Sequence, residues 1–208
     1  MRCFLLMIAV VVVVGCASTP TNWVSDPSDP NNVLIEEQIR FYAKKPTGEL
    51  TTVDLDKVTS LNLGVHPLTS VKGLEKLTQL TSLDLSSNQL TSVKGLEKLT
   101  QLTRLYFNAN QLTNVKVLEN LTQLKDLDLH KNQLTSVKGL KKFTQLKYLW
   151  LTGNPDLTKA QIDQLKKALP KCKIQSTPTK YPPPPSSPSN SRNALAILMH
   201  VSEDGISP

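Results

Sequence analysis

The sequence predicts an α/β solenoid in which about five short parallel strands line one face, irregular and 3₁₀ coils return along the other, and helices cap both ends. Residues 68–89 and 90–111 are both 22 residues long, and their five differences all fall between repeat positions 15 and 20. Within each copy the apolar residues recur at steps of three followed by one step of two, which marks a short strand. A repeat this small cannot bury its own apolar stripe, so the copies must stack and share one core.

The copies can be placed residue by residue. Full repeats cover residues 68–89, 90–111, 112–133 and 134–155, and a partial repeat covers residues 58–67. The step of two runs from repeat position 16 to position 18, so the strand of the first full repeat centres on Leu83-Asp84-Leu85. The apolar positions of that repeat are Leu68, Val71, Leu74, Leu77, Leu80, Leu83 and Leu85.

An asparagine follows each full strand at repeat position 21. The chain turns away from the sheet there and leaves backbone groups unpaired inside the coil. An amide side chain carries both donors and acceptors and can satisfy those groups. A structural ladder is therefore predicted at Asn88, Asn110, Asn132 and Asn154.

The segment from Leu80 to Leu90, which reads Leu-Thr-Ser-Leu-Asp-Leu-Ser-Ser-Asn-Gln-Leu, resembles the leucine-rich repeat consensus. Its 22-residue spacing is similar to that of the bacterial internalin-like class. The resemblance covers about half of the chain. It implies a scaffold fold, and because such scaffolds carry many unrelated ligands, it does not identify a partner.

Caps are expected at both ends, because an open stack exposes apolar cross-sections. Asp29-Pro30 can start a helix that ends before Pro46, and a second short helix begins at Thr51. After the last strand, Thr158 and Gln161 have the spacing of a capping box, and residues 172–174 can add a closing strand. The apolar stripes of the cap helices are Ile35, Ile39 and Tyr42 before the repeats, and Ile162, Leu165 and Leu169 after them.

Residues 1–15 read as an export signal, because Arg2 precedes an apolar run that is too short to span a bilayer. The end of this run, Val13-Val14-Gly15-Cys16, resembles the bacterial lipobox, in which the cysteine is acylated and becomes the mature N-terminus. This resemblance implies lipidation of Cys16 and an extracytoplasmic location in the cell envelope. Ala17 is compatible with sorting to an outer membrane if the organism has one. An ordinary signal peptide is the alternative.

The remaining segments follow from composition. Residues 16–31 are rich in Ser, Thr, Pro, Asp and Asn and are predicted to form a flexible tether. Residues 32–174 form the repeat domain with its caps, and residues 175–208 form a disordered tail that holds seven of the fourteen prolines. The tail is interpreted as a spacer, and a proline-motif ligand is the alternative.

The candidate binding site is the outward face of the strands. Repeat positions 15, 17 and 19 alternate with buried leucines, so they must face solvent. Positions 15, 19 and 20 differ in all four copies, and position 17 takes three identities. Exposed aromatics flanked by charges are typical of protein-binding surfaces. Neutral drift at unconstrained positions is the competing explanation. The predicted ligand-binding residues are Arg104, Tyr106, Asn108, Asp126, Asp128, His130, Tyr148 and Trp150.

Catalysis is not expected, because none of the three histidines lies in a recognisable motif. His130 shares its strand face with Asp126 and Asp128, but neighbouring residues on a flat strand rarely converge on one metal ion. No cofactor or metal is predicted, and nucleic acid is an improbable partner for an exported protein. The predicted partners are an unidentified protein or peptide and the membrane that holds the lipid, and a monomer is expected.

The charge distribution supports an alternative function. The chain carries a net charge of +7, and residues 134–174 hold nine lysines against two aspartates. Such a basic end can rest on anionic lipid or on a cell-wall polymer. The alternative is therefore a structural envelope lipoprotein that makes contact through this end, including Lys141, Lys142, Lys166 and Lys167.

Overall fold

The computed structural model describes Trp23 and residues 26–177. Its core element is a single sheet of six parallel strands that lie side by side in chain order. Three short 3₁₀ helices, Leu74–Lys76, Lys116–Asn120 and Lys138–Lys142, return along the opposite side, as predicted. The strands are β1 (Ser60–Asn62), β2 (Ser82–Asp84), β3 (Arg104–Tyr106), β4 (Asp126–Asp128), β5 (Tyr148–Trp150) and β6 (Lys173–Gln175).

The strands pair without any slip in register. Leu61 pairs with Leu83, and the same repeat position continues through Leu105, Leu127 and Leu149. Ile174 of β6 completes the row, which confirms a closing strand near the predicted residues 172–174. Each repeat forms one turn of the solenoid, here called a rung. Because every rung adds its leucines directly above the previous ones, the apolar slots form one continuous core.

That core contains all seven apolar positions of each full repeat, and none of these side chains is more than 2% exposed. Phe107 and Phe143 replace leucine in two of the slots and are fully buried. At roughly 1.5–3 kcal/mol for each large side chain removed from water, this burial is the main favourable contribution to folding.

The turn after each strand has a fixed backbone requirement that the sequence comparison did not reveal. Repeat position 20 adopts a positive φ in every copy, from +51° at Lys131 to +76° at Gly153. In the partial repeat the residue at this position is Val65, with φ of +62°. A β-branched residue is strained in that region, so the variability of position 20 does not mean that the position is unconstrained.

The caps form where they were predicted. Helix α1 (Pro30–Ala43) begins at an Asp29 N-cap and buries Ile35, Ile39 and Ala43 against the first rung. Helix α2 (Thr52–Leu55) begins with a capping box formed by Thr51 and Asp54. Helix α3 (Lys159–Ala168) begins with the Thr158 and Gln161 capping box. It buries Ile162, Leu165 and the C-cap residue Leu169 over the last full repeat.

The tether predicted over residues 16–31 is wrong at its C-terminal end. The Trp23 backbone N–H donates to the Leu50 carbonyl at 2.9 Å, and its indole is only 6% exposed. Asn31 belongs to helix α1, and its side-chain oxygen accepts a hydrogen bond from the Thr69 N–H at 2.8 Å. Burial of an indole outweighs the ordering of a few residues, and polar local composition does not show contacts made 27 or more positions away.

The inclusion of residues 175–177 in the predicted disordered tail is also wrong. Gln175 belongs to β6, and the Thr177 hydroxyl accepts a hydrogen bond from the Gly153 N–H at 3.3 Å. The predicted signal peptide, Cys16 and the tail beyond Thr177 lie outside the described residues. Among the residues that the structure does describe, no helix is long and apolar enough to span a bilayer.

Candidate functional site

The candidate site is the strand face that points away from the core. Along each of β1 to β5 a central leucine is buried, and the residues on either side of it are partly or fully exposed. In β6 the central residue is the half-buried Ile174. Parallel pairing without slip arranges these outward residues in two rows that cross the sheet. One row contains Ser82, Arg104, Asp126, Tyr148 and Lys173, and the other contains Asp84, Tyr106, Asp128, Trp150 and Gln175.

The structure brings all eight predicted binding residues onto this face. Six of them lie on β3, β4 and β5, while Asn108 and His130 follow their strands at repeat position 19. Arg104 and Tyr148 are exposed, and the other six are half-buried by their neighbours. Their proximity follows from the register, because each strand lies beside the next.

Two aromatic side chains form the most prominent apolar feature of the face. The rings of Tyr148 and Trp150 are stacked, with centroids 5.8 Å apart and planes inclined by 17°. Tyr148 is 41% exposed, and Lys173 of β6 places its ammonium 5.5 Å from the Tyr148 ring centroid. Tyr148 is thus open to solvent while it packs against the half-buried Trp150 and the Lys173 ammonium.

Lys173 is a part of this site that the sequence analysis missed. Its strand is not a copy of the 22-residue repeat, so comparison of the repeats could not include it. The prediction of a closing strand was the one available signal, because such a strand has to lie beside β5 and its aromatics.

Tyr106 stands at the centre of the face among charged residues. Partial burial and the nearby Asp126 carboxylate raise the pKa of the Tyr106 hydroxyl, and Arg104 opposes this effect. Asp84 and Asp128, its two neighbours across the sheet, also favour the protonated form. Tyr106 therefore remains a neutral phenol that can donate a hydrogen bond to a ligand.

His130 is engaged locally. Its Nδ1 lies 2.8 Å from Asp128 Oδ1, and its backbone N–H donates to the same oxygen at 3.0 Å. Asp128 therefore orients the imidazole along the edge of the strand face. Across Trp23 and residues 26–177, no group of three His, Cys, Asp or Glu side chains is placed to hold a metal ion.

The asparagine ladder beside the face is structural, as predicted. Asn88, Asn110, Asn132 and Asn154 are all buried, with at most 8% exposure. Each side-chain oxygen accepts the backbone N–H 20 positions earlier, as Asn110 does from Leu90 at 3.0 Å. Each amide nitrogen donates to carbonyls of its own rung and of the preceding one. The ladder fixes the turns that follow the candidate site.

The lysines at repeat position 5 lie away from this face and are exposed: Lys72, Lys94, Lys116 and Lys138. The glutamates three positions later, Glu75, Glu97 and Glu119, contact other groups. The Glu75 and Glu97 carboxylates accept the backbone N–H groups of Gly73 and Gly95, at 2.6 and 2.7 Å. Glu119 instead pairs with Lys142 of the next repeat at 2.8 Å, which lowers the pKa of Glu119.

The single cysteine among the described residues is Cys172, beside the C-terminal cap. It packs partly buried against the core, and burial raises the pKa of its thiol to about 11. The thiol is therefore protonated at neutral pH and behaves as a small apolar side chain.

The family model described as "Leucine Rich repeats (2 copies)" matches four overlapping segments, 56–98, 78–120, 100–142 and 122–167. Together these segments cover residues 56–167, which is more than half of the chain. The protein belongs to the leucine-rich repeat family. Among curated proteins, none matches this leucine-rich repeat chain.

Several solved structures resemble this leucine-rich repeat protein. An internalin (inlF) from Listeria monocytogenes matches with a TM-score of 0.66 and 26% identity, over 80% of this chain and 48% of the internalin. Internalin C2 (inlC2) from the same organism matches with a TM-score of 0.65 and 26% identity, over 72% of this chain and 68% of the other. The functional domain of InlJ shares the fold, with 24% identity, a TM-score of 0.54 and coverage of 73% of this chain and 39% of that one.

The present chain thus spans about half the length of the inlF structure. These similarities show a leucine-rich repeat module with an internalin-like fold.

Proposed function

We propose that this leucine-rich repeat module binds a protein or peptide through the outward face of β3, β4 and β5, and that it does so without catalysis. The observation that carries the proposal is the stacked pair formed by the exposed Tyr148 and the half-buried Trp150. Exposed large aromatics held in one orientation lose little entropy on binding and act as anchors in protein interfaces. Drift at unconstrained positions does not favour such residues.

The rest of the face supplies polar contacts around the anchors. Tyr106 lies two strands from Trp150 in the same row, with Asp128 between them. Arg104 is exposed and lies in the row of Tyr148. Six strands about 4.8 Å apart form a narrow surface, so a standard interface of about 800 Å² per partner requires that flanking turns also take part.

Site-specific photocrosslinking tests this function. A photoreactive amino acid replaces Asn108, which follows Tyr106 on the strand face, and in a second variant it replaces Thr91, an exposed residue outside that face. We expect a discrete crosslinked product in intact cells from the first position only. Adding Tyr106→Ala and Trp150→Ala should abolish that product, whereas Ser82→Ala and Ser86→Ala on the first full repeat should not. Equal products from both positions would contradict the proposal.

We further propose that the protein is an envelope lipoprotein acylated at Cys16, on the extracytoplasmic side of the membrane. Gly15-Cys16 at the end of the apolar N-terminal run supports this anchor. The alanine that follows is compatible with an outer membrane if the organism has one. Mass spectrometry of the mature N-terminus tests the proposal. A mature chain that begins elsewhere, or an unacylated Cys16, would contradict it.

A second candidate function uses the basic C-terminal end. Helix α3 packs beside the third 3₁₀ helix, where Lys141 Nζ lies 3.4 Å from Gln164 Oε1, so the lysines of both elements share one end of the stack. Lys142, Lys166 and Lys167 are exposed there. Binding of the domain to anionic vesicles or wall polymer, lost at high salt and in a Lys166→Gln, Lys167→Gln variant, would favour this function.

A further inference from the structure

The exposed apolar side chains of the domain are concentrated at one end. Within Trp23 and residues 26–177, five large apolar side chains are exposed, and one of them is Tyr148 of the candidate site. The other four all lie in the N-terminal cap and first rung. Three of them are valines, and the fourth is Phe41, which is 75% exposed. These four are Val33, Phe41, Val53 and Val65.

Two of these residues lie on one side of α1. The helix buries Ile35, Ile39 and Ala43, and a rotation of 100° per residue places Val33 and Phe41 on the opposite side. The Phe41 ring lines a shallow depression together with Pro46 and Lys44. Because the buried stripe packs toward β1, this outer side of α1 faces away from the stack.

The chain enters the fold at the same end. Trp23 pairs with Leu50 in the N-terminal cap, and its ring packs against Gly73 of the first full repeat. Only seven residue steps separate Trp23 from Cys16. Seven steps reach at most about 25 Å when fully extended. Six strands spaced about 4.8 Å apart place the C-terminal end of the stack roughly 24 Å farther from this point of chain entry than the N-terminal end.

We propose that the N-terminal cap rests on the lipid surface in which Cys16 is anchored, with Phe41 in contact with the lipid and the strand face held clear of it. This inference rests on the proposed acylation of Cys16. Residues 26–57 carry seven carboxylates against four basic side chains, so apolar contact rather than attraction to anionic headgroups favours this orientation. The matching partner is a zwitterionic bilayer surface.

Tryptophan quenching in vesicles tests the orientation. The full mature lipoprotein is reconstituted in phosphatidylcholine vesicles with brominated acyl chains, in a Trp150→Phe background that leaves Trp23 as the baseline. Phe41→Trp places a reporter on the proposed contact, and Ala168→Trp places a matched reporter on an exposed residue of α3 at the far end. We expect loss of the added fluorescence for Phe41→Trp and none for Ala168→Trp.

Flotation of the same vesicles separates this inference from the proposed anchor. If the protein does not float with the vesicles, both the anchor and the orientation are wrong. If it floats but the Phe41→Trp reporter is not quenched, or the Ala168→Trp reporter is quenched equally, the orientation alone is overturned. Quenching confined to Phe41→Trp in floating protein supports both.

Discussion

The side-chain oxygen of Asn132 accepts a hydrogen bond from the backbone N–H of Leu112 at 3.0 Å, although the two residues are 20 positions apart. The amide nitrogen of Asn132 donates to the carbonyls of Phe107 at 3.0 Å and Leu129 at 3.1 Å. One side chain thus satisfies buried backbone groups of two neighbouring rungs, and it couples those rungs together.

We expect Asn132→Ala to lower the free energy of unfolding by about 2–4 kcal/mol, because buried backbone groups lose their partners. Chemical denaturation followed by circular dichroism measures this loss. Asn108→Ala, at a half-buried position on the strand face, is the control and should change stability by less than about 0.5 kcal/mol. A loss in Asn132→Ala as small as the one expected for the control would show that the ladder is not structural.

Gly73 and Gly95 occupy the same repeat position, with φ of +102° and +106°, but only Gly73 faces Trp23. A Cβ at Gly73 would lie 2.4 Å from the Trp23 ring, whereas a Cβ at Gly95 meets nothing closer than 3.7 Å. Gly95→Ala should therefore cost about 1–2 kcal/mol for backbone strain alone. Gly73→Ala should cost more, because the indole must also move.

Tryptophan emission in a Trp150→Phe background separates the two effects. We expect a red shift for Gly73→Ala, as Trp23 becomes exposed to water, and no shift for Gly95→Ala. Equal stability losses together with unchanged emission in both variants would mean that Trp23 does not occupy this site.

Val65 combines a φ of +62° with 81% exposure, so it is strained and contributes little packing. Asparagine tolerates this backbone region better than a β-branched residue does. We expect Val65→Asn to raise the free energy of unfolding by about 1 kcal/mol, measured by thermal or chemical denaturation. Val53→Asn, at an exposed valine in α2, is the matched control and should bring no such gain.

Asp54 is the buried carboxylate of the N-terminal cap, and contacts with Lys45 at 2.7 Å, Thr51 and Lys57 hold its pKa well below the usual value. A lowered pKa in the folded state stabilises the fold above the unfolded pKa of about 4. That contribution is lost as the pH falls further below this value.

We therefore expect Asp54→Asn to lower the melting temperature at pH 7 and to have a smaller effect near pH 2. Melting curves of both proteins across this range measure the difference. A loss that is independent of pH would assign the role of Asp54 to helix capping rather than to its charge.

The amino-acid sequence by itself determined the repeat unit, the register, the asparagine ladder and the capping box of α3. The reason is that only one stacking register buries an apolar pattern that repeats every 22 residues. In that register Leu83, Leu105, Leu127 and Leu149 align. The same alternation placed Tyr106 and Trp150 on the outward face, since residues next to a buried strand leucine must point away from it.

Tertiary structure alone decided the contacts that join elements without a repeat relationship. Trp23 lies in a polar segment and gains its burial from Leu50 and Gly73, so no local pattern marks it. Lys173, on a strand outside the repeats, makes a cation–π contact with Tyr148. Glu119 forms an ion pair with Lys142 of the next rung. Such pairings depend on distances in space, which a periodic pattern encodes only for residues that occupy the same position in each rung.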